Sequence, residues 1–322
     1  MTTLQPTAAP LRPFLDWPIV TDPAQWQVDV ALLGSLHGEP YAHDPRPNDQ
    51  ARAPEAIRWH SKRFCYETGH YDFDTGGELR ATLPPHCLDL GNVGWTAGDY
   101  GAHASQVSAR VRHLWSQGAQ VVVLGGDHGV TIPILDALDA VGEPVHVLQV
   151  DSHLDWREEV GGIRRGYSSP LRWASTLPAV AGMTQLGLRG IGSARRGEVE
   201  AARGWGSHLV TAEAFHAGGA EPVLATIPDG RPVYLTIDAD GLDPTEMPGV
   251  MAPTPGGPRF HQLAPLLRAV ARRHRIVGMD LVEVAPSFDA SNGLTCVVAG
   301  RLILNVLAAS WGEGGAFRRA RG

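Results

Sequence analysis

The sequence predicts an α/β protein built on a doubly wound, mostly parallel sheet. Two features carry that expectation: short continuous apolar runs recur along the chain, and stretches with helical spacing separate them. Runs without polar alternation suit strands buried on both faces, as in a parallel sheet covered by helices.

Residues 1–27 have scattered prolines and no periodicity, and read as an irregular N-terminal arm. They lack a basic stretch followed by an apolar one, so no signal peptide is expected. The apolar runs then begin with Val28 to Ser35 (VDVALLGS) and Cys87 to Val93 (CLDLGNV). Gln120 to Gly126 (QVVVLGG) and Pro144 to Asp151 (PVHVLQVD) follow, then Thr184 to Ile191, Pro232 to Asp240 and Arg275 to Val284. Helical spacing appears after Gly101, after Gly192, after Arg259 and after Cys296. The connections Leu36 to Ala53, Phe64 to His86 and Trp156 to Ser168 exceed ordinary loop length, which makes them candidate pocket walls. No repeat or composition shift divides the chain, so residues 28–312 are expected to form a single domain and 313–322 a short tail.

Composition narrows the class of function. A net charge of -7 and a pI near 6.0 give no footprint for nucleic acid or an anionic membrane, which favours a small-molecule substrate. Three widely spaced cysteines argue against a disulfide framework and fit a reducing cytoplasm. No run is expected to be long and apolar enough to span a membrane.

The chemistry gathers at strand ends. The segments LGGDH (Leu124 to His128), VDSHLD (Val150 to Asp155) and IDADGLDP (Ile237 to Pro244) each close an apolar run with metal-ligand residue types, and MDLVEVAP adds Asp280 and Glu283. In an open parallel sheet the carboxyl ends of the strands share one edge, where ligands bind, so these distant segments are expected to converge. Alternation in an extended segment would put Asp151, His153 and Asp155 on one side of the chain. Asp151, Asp155, Asp238 and Asp240 without counter-charge could not all ionise at a desolvated site. Two divalent cations, with neutral His128 and His153, would balance them, and Asp151 and Asp238 are the natural bridges. Oxygen-rich ligands without thiolate favour Mn(II), with Ni(II) or Co(II) also compatible. Asp127 and Asp243 read as turn or capping residues.

These motifs, GGDHGVT, DSHLD and TIDADGLDP, together with GMDLVEVAPSFD and GLTCVVAGRLILNVL, resemble the signatures of the ureohydrolase family, which includes arginase and agmatinase. The resemblance, to the agmatinase-like branch, implies a three-layer α/β/α fold with a mostly parallel sheet of about eight strands. It also implies a dinuclear manganese site and hydrolysis of a guanidino compound to urea and an amine through a metal-bridging hydroxide. Carried over by position, His128, Asp151, Asp155 and Asp238 would hold one ion, and His153, Asp151, Asp238 and Asp240 the other. Asp155 would move a proton to the leaving amine, and Glu283 would accept paired N–H bonds from the guanidinium.

Tyr167 and Ser168 stand where agmatinase-like members carry a His-Gly pair, and Asn92 replaces a usual acid. Tyr167 is carried over to the catalytic set from that histidine's position; tyrosine ionises near pH 10 and would shuttle protons at neutrality as histidine does only if strongly perturbed. Small polar residues that arginase uses for the α-amino acid group are also missing. Trp156 and Arg157 stand there instead, as candidates to stack on the substrate or meet a carboxylate, together with Arg164 and Arg165. The expected substrate is agmatine-like, a guanidino acid or a small alkylguanidine.

Two alternatives remain open at this point. A deacetylase-like hydrolase with a single zinc would leave His128 and Asp240 without a task; a non-catalytic or partner-dependent subunit of a heteromeric ureohydrolase would account for Tyr167. The family likeness further implies a homo-oligomer, trimer or hexamer, with a hetero-oligomer containing a paralogue as the variant.

Overall fold

In the strand Gln120–Leu124, Val121 and Val123 enter one hydrophobic cluster while Val122 and Leu124 enter another. Successive side chains point to opposite faces, so a strand covered on both sides must be apolar throughout. The computed structural model describes residues 4–42, 48–192 and 194–321. Its main sheet contains β1 (Val30–Ser35), β2 (Cys87–Val93), β3 (Gln120–Leu124) and β4 (Val145–Val150), then β5 (Val180–Leu188), β6 (His208–Thr211), β7 (Val233–Asp238) and β8 (Ile276–Val282). The eight strands lie in the order β2-β1-β3-β8-β7-β4-β5-β6, every neighbouring pair parallel.

One cluster is covered by α1 (Ala53–Phe64), α4 (Phe260–Arg273) and α5 (Leu294–Trp311), and the other by α2 (Tyr100–Ser116) and α3 (Arg196–Trp205). The three-layer expectation is met. The strand β6 had no counterpart in the sequence reading, because its four residues are only half-buried or exposed and form no apolar run. Helix α1 has no counterpart in the sequence analysis because its apolar positions are sparse.

Two expectations change, at the tail and in helix α5. The irregular arm packs on the fold: Phe14, Leu15 and Trp17 are buried, and Ala8 and Ile19 bridge to Asn92 and Asp89 on the edge strand β2. The segment expected to be a tail instead includes a helix, Ala316–Arg321, whose Phe317 packs on Trp311 with ring centroids 4.9 Å apart. Helix α5 is also long and apolar enough to cross a membrane, contrary to the sequence reading; most of its window is buried under α1 and α4, as for a core helix apolar all round.

Arg58 of α1 fastens arm, helix and edge strand together. Its Nε and Nη2 donate to the two oxygens of Asp89 at 2.8 and 2.9 Å, and Nη1 donates to Asn92 Oδ1 at 2.7 Å. Asp89 also accepts from the backbone N–H of Phe14 at 2.9 Å. Both charged groups are fully buried, so removing one leaves the other without compensation. Asp89→Ala is expected to lower unfolding stability by about 3 to 5 kcal/mol in urea titrations; a loss under about 1 kcal/mol would show that the pair is dispensable.

Candidate active site

The four chemistry-bearing segments leave the sheet from its four central strands, β3, β8, β7 and β4, which are neighbours in that order. Register pairs Leu124 with Leu281, Val282 with Asp238, and Ile237 with Val150, so these strands finish at one level. His128, Asp151, His153, Asp155, Asp238, Asp240 and Glu283 therefore emerge on one rim, as parallel topology requires.

The geometry is built around Asp151. Its Oδ2 lies 3.2 Å from His128 Nδ1, and its Oδ1 lies 3.5 Å from His153 Nδ1. His128 Nδ1 also stands 2.9 Å from Asp155 Oδ2 and 3.2 Å from Asp238 Oδ2, while His153 Nδ1 is 3.1 Å from Asp240 Oδ2. Two ligand-type groups result, His128 with Asp151 and Asp238, and His153 with Asp151 and Asp240. Asp151 is common to both, as expected of a bridge. Asp238 falls within the first group only; its other oxygen accepts the backbone N–H of Asp240 at 2.8 Å.

His128 Nδ1 is buried and makes no hydrogen bond despite three carboxylate oxygens within 3.2 Å. One imidazole nitrogen and several carboxylate oxygens gathered this closely are a donor set that could hold a cation. The ring is held from behind by Thr236, whose hydroxyl lies 2.9 Å from Nε2. Asp280, within β8 and fully buried, accepts from Thr131 at 2.8 Å and from Tyr234 at 2.6 Å. It braces this backing layer and is absent from the rim. Such outer partners fix ligand orientation.

Charge is crowded here. Burial, then the charge of Asp151, pushes Asp155 up to about 7. Burial, then Asp240 and Asp151, raises Asp238 well above the carboxylate range. Burial, then Asp127, pushes Glu283 up to about 8. Burial works to lower His128 and His153, but their carboxylate neighbours outweigh it, raising His128 strongly and His153 to about 12. Without cations, the site gathers protons in their place.

Asp155 and Glu283 both adopt left-handed backbone, with φ of 50° and 64°. Non-glycine residues rarely do so, and such strain concentrates at functional sites. The turn at Asp155 corrects one expectation: beyond Val150 the chain is not extended, so its three ligand-type residues converge through a bend and not through strand alternation.

Glu283 Oε1 accepts the backbone N–H of His128 at 2.7 Å, and its Oε2 accepts from the Gln50 amide. Gln50 was not anticipated. It belongs to the loop Leu36 to Ala53, of which residues 43–47 lie outside the described residues. That loop is anchored by Asp127, which caps the turn after β3, lies 3.1 Å from His37 Nδ1 and accepts the N–H of Glu39 at 2.9 Å. Gly126 permits this docking, since a Cβ there would fall 1.4 Å from the carbonyl oxygen of His37. Asp243 is a turn residue as well, accepting from Thr245 and Gly256.

A cavity of about 160 Å³ opens beside the cluster, lined by His153, Asp155, Asp238, Asp240 and Glu283 together with Gln50, Tyr167 and Ser168. Pro40, Asn48, Met251 and Ala252 complete its wall. Tyr167 packs against Tyr41 with ring centroids 4.1 Å apart and planes tilted by 36°, and Tyr41 accepts the backbone N–H of Ser168 at 3.1 Å. Two of the long connections thus form the wall; the third, Phe64 to His86, folds elsewhere around a small hairpin.

The remaining candidates do not face this cavity. Trp156 is buried under α3, its ring 6.4 Å from that of Trp205, because the turn at Asp155 sends it into the helical layer. Arg157 pairs with Glu198 at 3.2 Å, Arg164 with Glu158 at 2.8 Å, and Arg165 with Asp136. These carboxylates draw the guanidinium groups away from the rim.

Comparison with known proteins agrees with this geometry. Residues 35–309 match the family model described as Arginase family. The chain is 34% identical over 269 residues to an N(1)-aminopropylagmatine ureohydrolase of Thermus thermophilus, covering 81% of this chain and 85% of that one. It is 29% identical over 285 residues to proclavaminate amidinohydrolase of Streptomyces clavuligerus, covering 86% and 87%. The solved structure of that amidinohydrolase superposes with a TM-score of 0.79 at 28% identity, covering 95% of this chain and 98% of that one. A structure of a hypothetical agmatinase from Burkholderia thailandensis gives 0.76 at 25% identity, covering 92% and 88%. With the rim and the sheet order on one side and these matches on the other, the chain belongs to the arginase family of ureohydrolases, in its agmatinase-like branch.

Proposed function

We propose that this member of a family of guanidino C–N hydrolases holds two divalent ions and cleaves a guanidino compound to urea and an amine. The observation that carries the reading is the Asp151 carboxylate, one oxygen turned to the His128 group and the other to the His153 group. Ligation would fall to His128, Asp151, Asp155 and Asp238 on one side, and to His153, Asp151, Asp238 and Asp240 on the other. Mn(II) suits this oxygen-rich set best, with Ni(II) or Co(II) able to replace it. Bound there, divalent ions would lower the pKa of water and so supply at neutral pH the strong nucleophile that a resonance-stabilised guanidinium requires.

The chain's own groups supply the rest. Glu283, already fixed by the N–H of His128 and by Gln50, keeps lone pairs on both oxygens to receive guanidinium N–H bonds. Asp155 lies 2.9 Å from His128 at the cavity wall, where it can hold a proton and deliver it to the departing amine. Tyr167 serves as wall, packed against Tyr41, and not as a proton shuttle. The cavity lining leaves an agmatine-like amine, a guanidino acid and a small alkylguanidine as candidate substrates. A complete rim also speaks against a non-catalytic subunit, and a single-zinc hydrolase would not explain the second group.

Urea release across a panel of agmatine, alkylguanidines and guanidino acids, with Mn(II) or Ni(II) added, tests the reading. Turnover of at least one member is expected; silence across the panel with metal bound would overturn it. Because Asp155, Asp238, His128 and His153 all have raised pKa values without metal, ion uptake must expel protons. Titration of metal-free protein in weak buffer is expected to acidify it, and apparent affinity to strengthen as pH rises from about 6 to 8; pH-independent binding would contradict the site. Tyr167→Phe is expected to keep kcat/KM within about threefold, whereas loss of a proton-transferring group costs about a hundredfold or more.

A further inference from the structure

Gln50 carries an unexplained polar atom. It is 4% exposed, and its Nε2 donates to Glu283 Oε2. Glu283 accepts on both oxygens, from Gln50 and from the backbone N–H of His128, and the amide presents its nitrogen to it. The Oε1 of Gln50 is then left buried with no hydrogen-bond partner, in a residue that lines the cavity beside Glu283. An orphaned carbonyl oxygen is costly in an unliganded site and is relieved by a ligand that donates an N–H.

The position is braced. Asp49 accepts the backbone N–H of Ser287 at 3.0 Å and lies 3.0 Å from its hydroxyl oxygen, tying the loop to the segment just beyond Glu283. Gln50 itself opens a short helical turn, Gln50–Arg52, that leads into α1. Side chains held from both ends in this way lose little entropy when ligand arrives.

We propose that Gln50 is a specificity-determining residue of the guanidino site: its Nε2 fixes Glu283, and its Oε1 accepts an N–H from the third nitrogen of the guanidinium, which the Glu283 pair leaves unbound. This rests on the reading of the cavity as a guanidino site. A carboxylate pairs with two nitrogens and so does not distinguish a guanidinium from an amidinium; an additional acceptor does.

The test compares guanidinium and acetamidinium chlorides as calorimetric ligands of the metal-loaded protein, in wild type, Gln50→Leu and Gln50→Met. Wild type is expected to bind guanidinium at least about tenfold more tightly than acetamidinium, the scale of one hydrogen bond to a charged donor. Gln50→Leu should erase that preference while metal content and melting temperature stay near wild type; Gln50→Met serves if the leucine variant does not fold. A preference unchanged in either folded variant, or absent from wild type, overturns the role of Gln50. Urea release by wild type on the guanidine panel is scored separately, so failure of the enzymatic reading is seen there and failure of the Gln50 assignment in the selectivity ratio.

Discussion

The two oxygens of Asp151 face two different imidazoles, and most of the polar organisation in this protein follows from that arrangement. A carboxylate so placed, with Asp155, Asp238 and Asp240 around it, is tolerated in a buried rim only when positive charge sits among the oxygens. Protons can supply that charge, as the raised imidazoles show, and divalent ions can supply it with better geometry. The buried, unbonded Nδ1 of His128 favours the second answer.

The sheet makes the arrangement possible. Placing β3, β8, β7 and β4 side by side gives four parallel strand ends with no intervening element. Each end delivers its ligand-type residues at or a few positions beyond the last strand residue, on the turn that leaves the sheet. Precision is added by strain and by bracing: left-handed backbone at Asp155 and Glu283 aims both carboxylates, and Thr236 holds the His128 ring from behind. Arg58 and Asp89, at the sheet's far edge, clamp the arm and α1, and α1 follows directly on the turn that carries Gln50.

What could be read from the sequence divides along physical lines. Strands buried on both faces have an unmistakable composition, so the central sheet and its rim residues were legible, from His128 to Asp240. Short or half-exposed elements were not: β6 presents half-buried or exposed residues, and the final helix hides a single anchoring ring, Phe317. Tyr167 was identified by position and does line the cavity. Trp156 and Arg157 were misassigned because nearness in sequence to Asp155 does not survive a left-handed turn. Gln50 left no sequence signal, since a lone amide in a long loop has neither periodicity nor charge; only its burial against Glu283 reveals it.

The dinuclear reading of Asp151 can be tested directly by anomalous diffraction at the manganese edge on crystals of the metal-loaded protein. Two peaks are expected about 3.5 to 4 Å apart, one beside His128 Nδ1 and one beside His153 Nδ1, with an oxygen of Asp151 coordinating each. A single peak, or ions that leave either oxygen of Asp151 uncoordinated, would contradict it.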